Sequence, residues 1–261
     1  MTTTTTEAGR TTTPRTASTV PLGRLTLVEL RKLADTRAGL WLLILIGLGA
    51  VGTAVIILGW AADDEQTFAA FFAFGLAPPA VLLPVLGILS MTGEWSQRTA
   101  LTTFALVPER WRVIAAKLAA GVLIALAATV ATLALSAAAN LLGIALGGDG
   151  SWRIDASLLW QAVLMESLFV LMGMAFGALL LNSPLAIVAY FALPTLWSVL
   201  RESIHALRHV SAWLDLGITS GPLSEPSMTA GQYARLAVSS LLWVALPLAA
   251  GSWRILRREV S

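Results

Sequence analysis

An α-helix needs about 20 mainly apolar residues, at about 1.5 Å each, to cross a bilayer core. Trp41 to Trp60 meets that requirement without a single charge. Its two tryptophans fall where interfacial anchors belong. Five more apolar runs follow. Phe68 to Met91 holds Pro78, Pro79 and Pro84, each lacking a backbone donor, which predicts a bent or broken helix. Val113 to Gly147 is one long Ala- and Leu-rich run, Ala156 to Leu181 the fourth, Leu185 to Leu200 a shorter fifth containing Pro194, and Gly231 to Trp253 the sixth. The expected spans are about 41–60, 68–91, 113–135, 156–181, 185–201 and 232–253. They belong to one all-α polytopic domain over 24–258, preceded by a disordered tail over 1–23.

The chain is 57% hydrophobic and 12% charged over 261 residues, with a mean hydropathy of +0.78. That balance excludes an ordinary soluble domain. The net charge of +2 does not imply a nucleic-acid partner, because the basic residues sit at the ends of apolar runs and form no stripe. Cysteine is absent, which removes disulfides, thiolate nucleophiles and Cys-ligated metal. The Thr-rich start, "MTTTTTEAGRTTTPRTASTV", has no apolar core and does not read as a signal peptide.

Orientation follows from counting Lys and Arg on each side. With the N-terminus inside, thirteen fall on the cytoplasmic side; only Arg153, Arg201, Arg208 and Arg235 lie outside. The expectation is a plasma-membrane protein with six spans and both termini cytoplasmic. Between spans four and five only "NSP" remains, where Ser183 is a candidate cap and Pro184 opens the next helix. Between spans five and six, a short helix at the membrane surface is expected near Ser203 to Leu216, followed by a Gly/Pro/Ser loop.

The loop after span two concentrates charge in "TGEWSQRTALTTFALVPERWRVIAAKL". Thr92 is a candidate N-cap, and Glu94 and Arg98 stand four apart, one face of a short helix. Together with "ELRKLADTRAGLWLL" ahead of span one, this stretch resembles the permease subunits of ABC-2 type transporters, especially actinobacterial ones. The likeness runs over most of Leu25 to Arg258 in hydropathy and is specific in those two stretches. The resemblance implies the type V, ABCG-like exporter fold. It implies an N-terminal connecting helix at about Leu25 to Gly39, carrying Glu29, Arg31 and Lys32. It also implies a coupling helix at about Thr92 to Phe104 that docks on an ATP-binding subunit through Glu94, Trp95, Arg98 and Thr99, and a re-entrant external segment within Arg201 to Ala230.

A P-loop needs GxxxxGK[ST]. The two lysines, Lys32 and Lys117, follow no glycine loop. The chain is therefore not expected to be catalytic alone. ATP and Mg would sit on a separate ABC ATP-binding subunit, and a second copy or a related permease would complete the pathway. The expected cargo is an amphipathic or lipophilic small molecule such as a drug, antibiotic or lipid-like compound, moved outward. A non-transporting membrane module of a sensory or immunity complex, or an ion-coupled carrier, is the alternative.

Glu166 is the one acidic residue deep in an expected span. Intramembrane carboxyls usually face a cavity or a partner. Its alternatives are a polar contact in the pathway, a bond between helices, or an acid satisfied by a neighbouring hydroxyl. Gly173 and Gly177 form GxxxG, as do Gly143 and Gly147, and intrachain packing is the expected use of both. Glu202, His205 and His209 have a spacing that places three ligands on one helix face, but an interfacial polar face is the favoured reading, and no metal is expected. No HExxH, GxSxG or paired-Asp motif is present.

Overall fold

The computed structural model describes residues 20–96 and 109–257. Among them every regular element is helical. α1 (Leu22–Asp35) precedes α2 (Arg37–Trp60), and Thr36 breaks the chain between them while its hydroxyl accepts from Gly39 N at 3.2 Å. α3 (Phe68–Gly75) and α4 (Ala77–Ser96) follow, then α5 (Arg110–Leu146), α6 (Ala156–Leu180) and α7 (Ser183–Ser203). α8 (His205–Leu214), α9 (Leu216–Ser220) and a 3-10 turn at Gly221–Ser224 lead into α10 (Ala230–Ser240) and α11 (Leu246–Arg257), joined by one π turn at Leu241–Ala245.

Among the described residues six helical segments are long and apolar enough to cross a membrane: Arg37–Trp60, Phe68–Ser96, Arg110–Leu146, Ala156–Leu180, Ser183–Ser203 and Ala230–Arg257. Several outrun the expected bounds. The second continues past Met91 to Ser96, so Thr92 is no N-cap: it is buried inside α4, donates to Ile88 O at 2.9 Å and meets Ser183 Oγ at 2.6 Å. Ser183 is correspondingly not the cap of α7. Asn182 is, accepting from Leu185 N at 3.0 Å. α5 has 37 residues, about 55 Å at the usual rise, against a hydrocarbon core of about 30 Å. Its ends therefore project beyond the apolar layer.

The prolines act where backbone donors can be spared. The second span breaks at Leu76, one residue before Ala77-Pro78-Pro79, and continues through Pro84. In the sixth, the π turn ends two residues before Pro247, whose ring nitrogen cannot donate to the turn before it.

α6 is the hub, packed against α4, α5, α7 and α11. Glycines set how closely α4 and α6 approach. A Cβ on Gly173 would collide with the backbone carbonyl of Pro84, one on Gly177 would come within 3.0 Å of Ile88 O, and one on Gly87 within 2.8 Å of Val170 O. The Gly173/Gly177 pair is thus an intrachain seam. Gly143 and Gly147 divide the work: Gly143 faces Leu58, Gln66 and Phe71, while Gly147 closes α5 at φ 101.

At one end of the bundle the turns after α2 and α5 interlock, with Asp149 N donating to Asp63 O at 2.8 Å and Phe68 N to Ser151 O at 2.9 Å. α8, α9 and the 3-10 turn fold onto α10 and α6 from this end. Trp243 Nε1 donates to Leu214 O at 2.7 Å, and Leu216 and Leu223 are buried in the same cluster as Phe176 and Tyr190. The region expected to hold one helix and a loop is therefore two helices and a 3-10 turn. α1, the end of α4, the start of α5 and the end of α11 gather at the opposite end.

Candidate functional site

At that second end, α1 is sided. Thr26, Glu29 and Leu33 recur at helical spacing and are buried against the bundle, whereas Leu27, Val28 and Arg31 are exposed. The face carrying Glu29 lies over α4 and α5, and it brings both lysines of the chain together with two glutamates.

Lys117 Nζ, 5% exposed as a residue, sits 2.6 Å from Glu29 Oε2 and 3.3 Å from Glu94 Oε1, and donates to Ser90 O at 3.1 Å. All three of its protons are used. Lys32 Nζ lies 2.7 Å from Glu29 Oε1 and 3.0 Å from Glu94 Oε1. Two positive and two negative groups thus form a closed, neutral network across three helices. Burial works against the Lys32 ammonium, but the bonded carboxylates of Glu29 and Glu94 more than offset it and raise its pKa above the ordinary lysine value.

The network separates the residues singled out in the sequence. Glu29 and Lys32 enter it; Arg31, between them in sequence, faces outward. Glu94 enters it as well, so its partners are lysines on two other helices. Its expected intrahelical partner, Arg98, lies outside the described residues, as does Thr99. Trp95 is half-buried and packs on the core cluster containing Leu33, Leu86 and Ile114. Lys117, considered in the sequence as a basic residue on the cytoplasmic side and as a lysine without a glycine loop, is as deeply buried as Glu29. The available signal was its setting in "AAKLAA", a lone lysine inside an apolar helical run.

A cavity of about 450 Å³ opens beside the network. Lys32, Glu94 and Ser90 stand on its wall together with Leu33, Leu86 and Leu89. Arginines fasten neighbouring helix ends. Arg110 donates to Ile255 O at 3.1 Å, Arg254 to Leu179 O at 2.5 Å and Arg112 to Val20 O at 2.6 Å, all three carbonyls at or beside helix termini.

Glu166 is far from this arrangement in character. It is fully buried on α6, and among the described residues neither carboxyl oxygen has a hydrogen-bond partner. Neither a neighbouring hydroxyl nor an interhelical bond satisfies it. Glu202 does not share a helix with His205 and His209, because the chain breaks at Ile204 between α7 and α8; it pairs with Arg201 at 3.4 Å instead. Among the described residues no group of three His, Cys, Asp or Glu side chains has metal-binding geometry. Asp215, unremarked in the sequence, caps α9 by accepting from Gly217 N at 2.9 Å and lies 3.8 Å from Arg201 Nε.

An all-helical bundle with six apolar spans defines a multi-pass membrane protein. Comparison with protein-family models, with curated proteins and with solved structures returned no match.

Proposed function

We propose that the chain is the transmembrane permease subunit of an ATP-driven exporter of the ABC-2 type. It works with a separate ATP-binding subunit that carries ATP and Mg, and with a second copy of itself or a related permease. Its cargo is an amphipathic or lipophilic small molecule. The supporting observation is the four-charge network. Residues 97–108 join α4 to α5, and both of those helices are clamped to α1 by Glu29, Lys32, Glu94 and Lys117. A displacement imposed on that loop by a partner would reach the second span, the third span and α1 together. In this reading α1 is the connecting helix, and α8 and α9 form the external segment.

The test uses residues outside the network. Arg98→Glu and Thr99→Arg are compared with wild type for membrane yield, copurified ATP-binding subunit, and transport per ATP. Normal yield with lost association or coupling is expected. Unchanged association and coupling in both variants would reduce the loop to a connector and defeat the proposal.

The unpartnered carboxyl of Glu166 favours an ion-coupled carrier as the second reading. Transport that survives ATP depletion but stops when the proton and sodium gradients are collapsed would select it.

A further inference from the structure

We propose that the cavity between α1 and α4 is a binding site for a zwitterionic amphiphile with a primary ammonium headgroup, of the phosphatidylethanolamine class. Lys32 uses two of its three protons within the network, and among the described residues the third is free. Glu94 Oε1 accepts from both lysines, while its Oε2 carries no hydrogen bond among the described residues. The wall thus presents one unspent cationic donor and one unspent anionic acceptor from a cluster whose charges otherwise cancel. A headgroup with a phosphate for Lys32 and an N–H-bearing cation for Glu94 matches both and leaves the cluster neutral; an anionic or purely cationic head meets only one of them and brings a net charge to a cluster that is already balanced. From Glu94 to Leu86 the α4 wall descends two helical turns, about 12 Å, and turns apolar at Leu89 and Leu86. Polar mouth and apolar floor are the order of an amphiphile entering from the membrane boundary. The cavity of about 450 Å³ has room for a headgroup and the first part of its chains.

The site needs no ATP-binding subunit, so its test is independent of the exporter proposal. The purified full chain is delipidated in mild detergent, exchanged against equal amounts of phosphatidylethanolamine, phosphatidylcholine and phosphatidylglycerol, and the retained lipid is read by native mass spectrometry. Phosphatidylethanolamine is expected to be held about tenfold better than phosphatidylcholine, whose quaternary nitrogen has no N–H for Glu94, and than phosphatidylglycerol, which brings no cation. Gly93 lines the cavity with open space where a Cβ would stand. Gly93→Phe therefore adds a ring at the cavity wall without removing a charge and should bring phosphatidylethanolamine down to the phosphatidylcholine level. Lys32→Gln should lower it as well. Soluble phosphoethanolamine at the same concentration should not displace the lipid, because it leaves the apolar floor empty. Equal retention of the three lipids overturns the proposal. So does a folded Gly93→Phe that keeps the selectivity, and displacement by phosphoethanolamine overturns the lipid as the ligand's source. Should Gly93→Phe or Lys32→Gln fail to fold, Gly93→Leu makes the same comparison.

Discussion

Lys117 shows how one residue's chemistry depends on what reaches it. Its ammonium is buried within the local run Ala115-Ala116-Lys117-Leu118-Ala119-Ala120, and it persists there because two carboxylates and a carbonyl surround it. Removing one partner of a buried pair leaves an uncompensated charge, which costs about 3–5 kcal/mol. Lys117→Met should therefore be strongly destabilising in thermal unfolding of the detergent-solubilised chain. Adding Glu29→Met should restore most of the loss, since Glu94 keeps Lys32. A lone Lys117→Met within about 1 kcal/mol of wild type would mean that the network is not closed in solution. Lys32 adds a pH signature. Its raised pKa makes its contribution complete below the ordinary value of 10.5 and lost as pH climbs through the folded-state value. Stability should thus fall in buffers more alkaline than that, and less steeply in Lys32→Gln. Glu166 is the opposite case, a carboxyl with no hydrogen-bond partner among the described residues. Glu166→Leu should leave thermal stability unchanged or improved, and a fall in transport at unchanged stability would mark it as a pathway group.

At the scale of elements, glycine placement decides which helices touch. Gly173→Ala puts a methyl against the Pro84 carbonyl and should cost about 1–3 kcal/mol through overpacking, whereas Gly47→Ala meets nothing within 4 Å and should be neutral or mildly stabilising. Comparable effects of the two in the same unfolding assay would contradict the seam between α4 and α6. These helices were legible in the sequence because span length and hydropathy are local properties. Gly173 and Gly177 were legible as a motif; what they face was not, since Pro84 and Ile88 lie some ninety residues away in the chain. Ends were misread for a related reason. Thr92 and Ser183 have the chemistry of caps, but they bond each other across two helices, and a hydroxyl's local preference yields when a tertiary partner is within reach. The four-charge network was partly visible. Glu29, Lys32 and Glu94 were singled out, but Lys117 joins them only through packing of α1 on α5, and no local pattern announces that contact.

For the whole molecule, the chain's two described ends, the charge network and the Arg110–Ile255 and Arg254–Leu179 bonds all lie at one end of the bundle, and the interlocked turns at Asp63 and Asp149 lie at the other. An even number of crossings requires that separation, and the surplus of Lys and Arg falls on the network end, so that end is expected to face the cytoplasm. Since the native chain has no cysteine, single substitutions report side without background. Glu109 and Ser224 are exposed and lie at opposite ends. Gly148 would be a poor reporter, because a Cβ there meets Gln66 Oε1 at 2.8 Å. Glu109→Cys should react with a membrane-impermeant thiol reagent only after the membrane is opened, while Ser224→Cys should react in intact cells. Reversed labelling would invert the molecule and put the loop over 97–108 out of reach of any intracellular ATPase. Labelling of both sites in intact cells would instead mean an even number of crossings between them, and one of the three apolar helices that separate them, Arg110–Leu146, Ala156–Leu180 or Ser183–Ser203, would have to lie outside the bilayer.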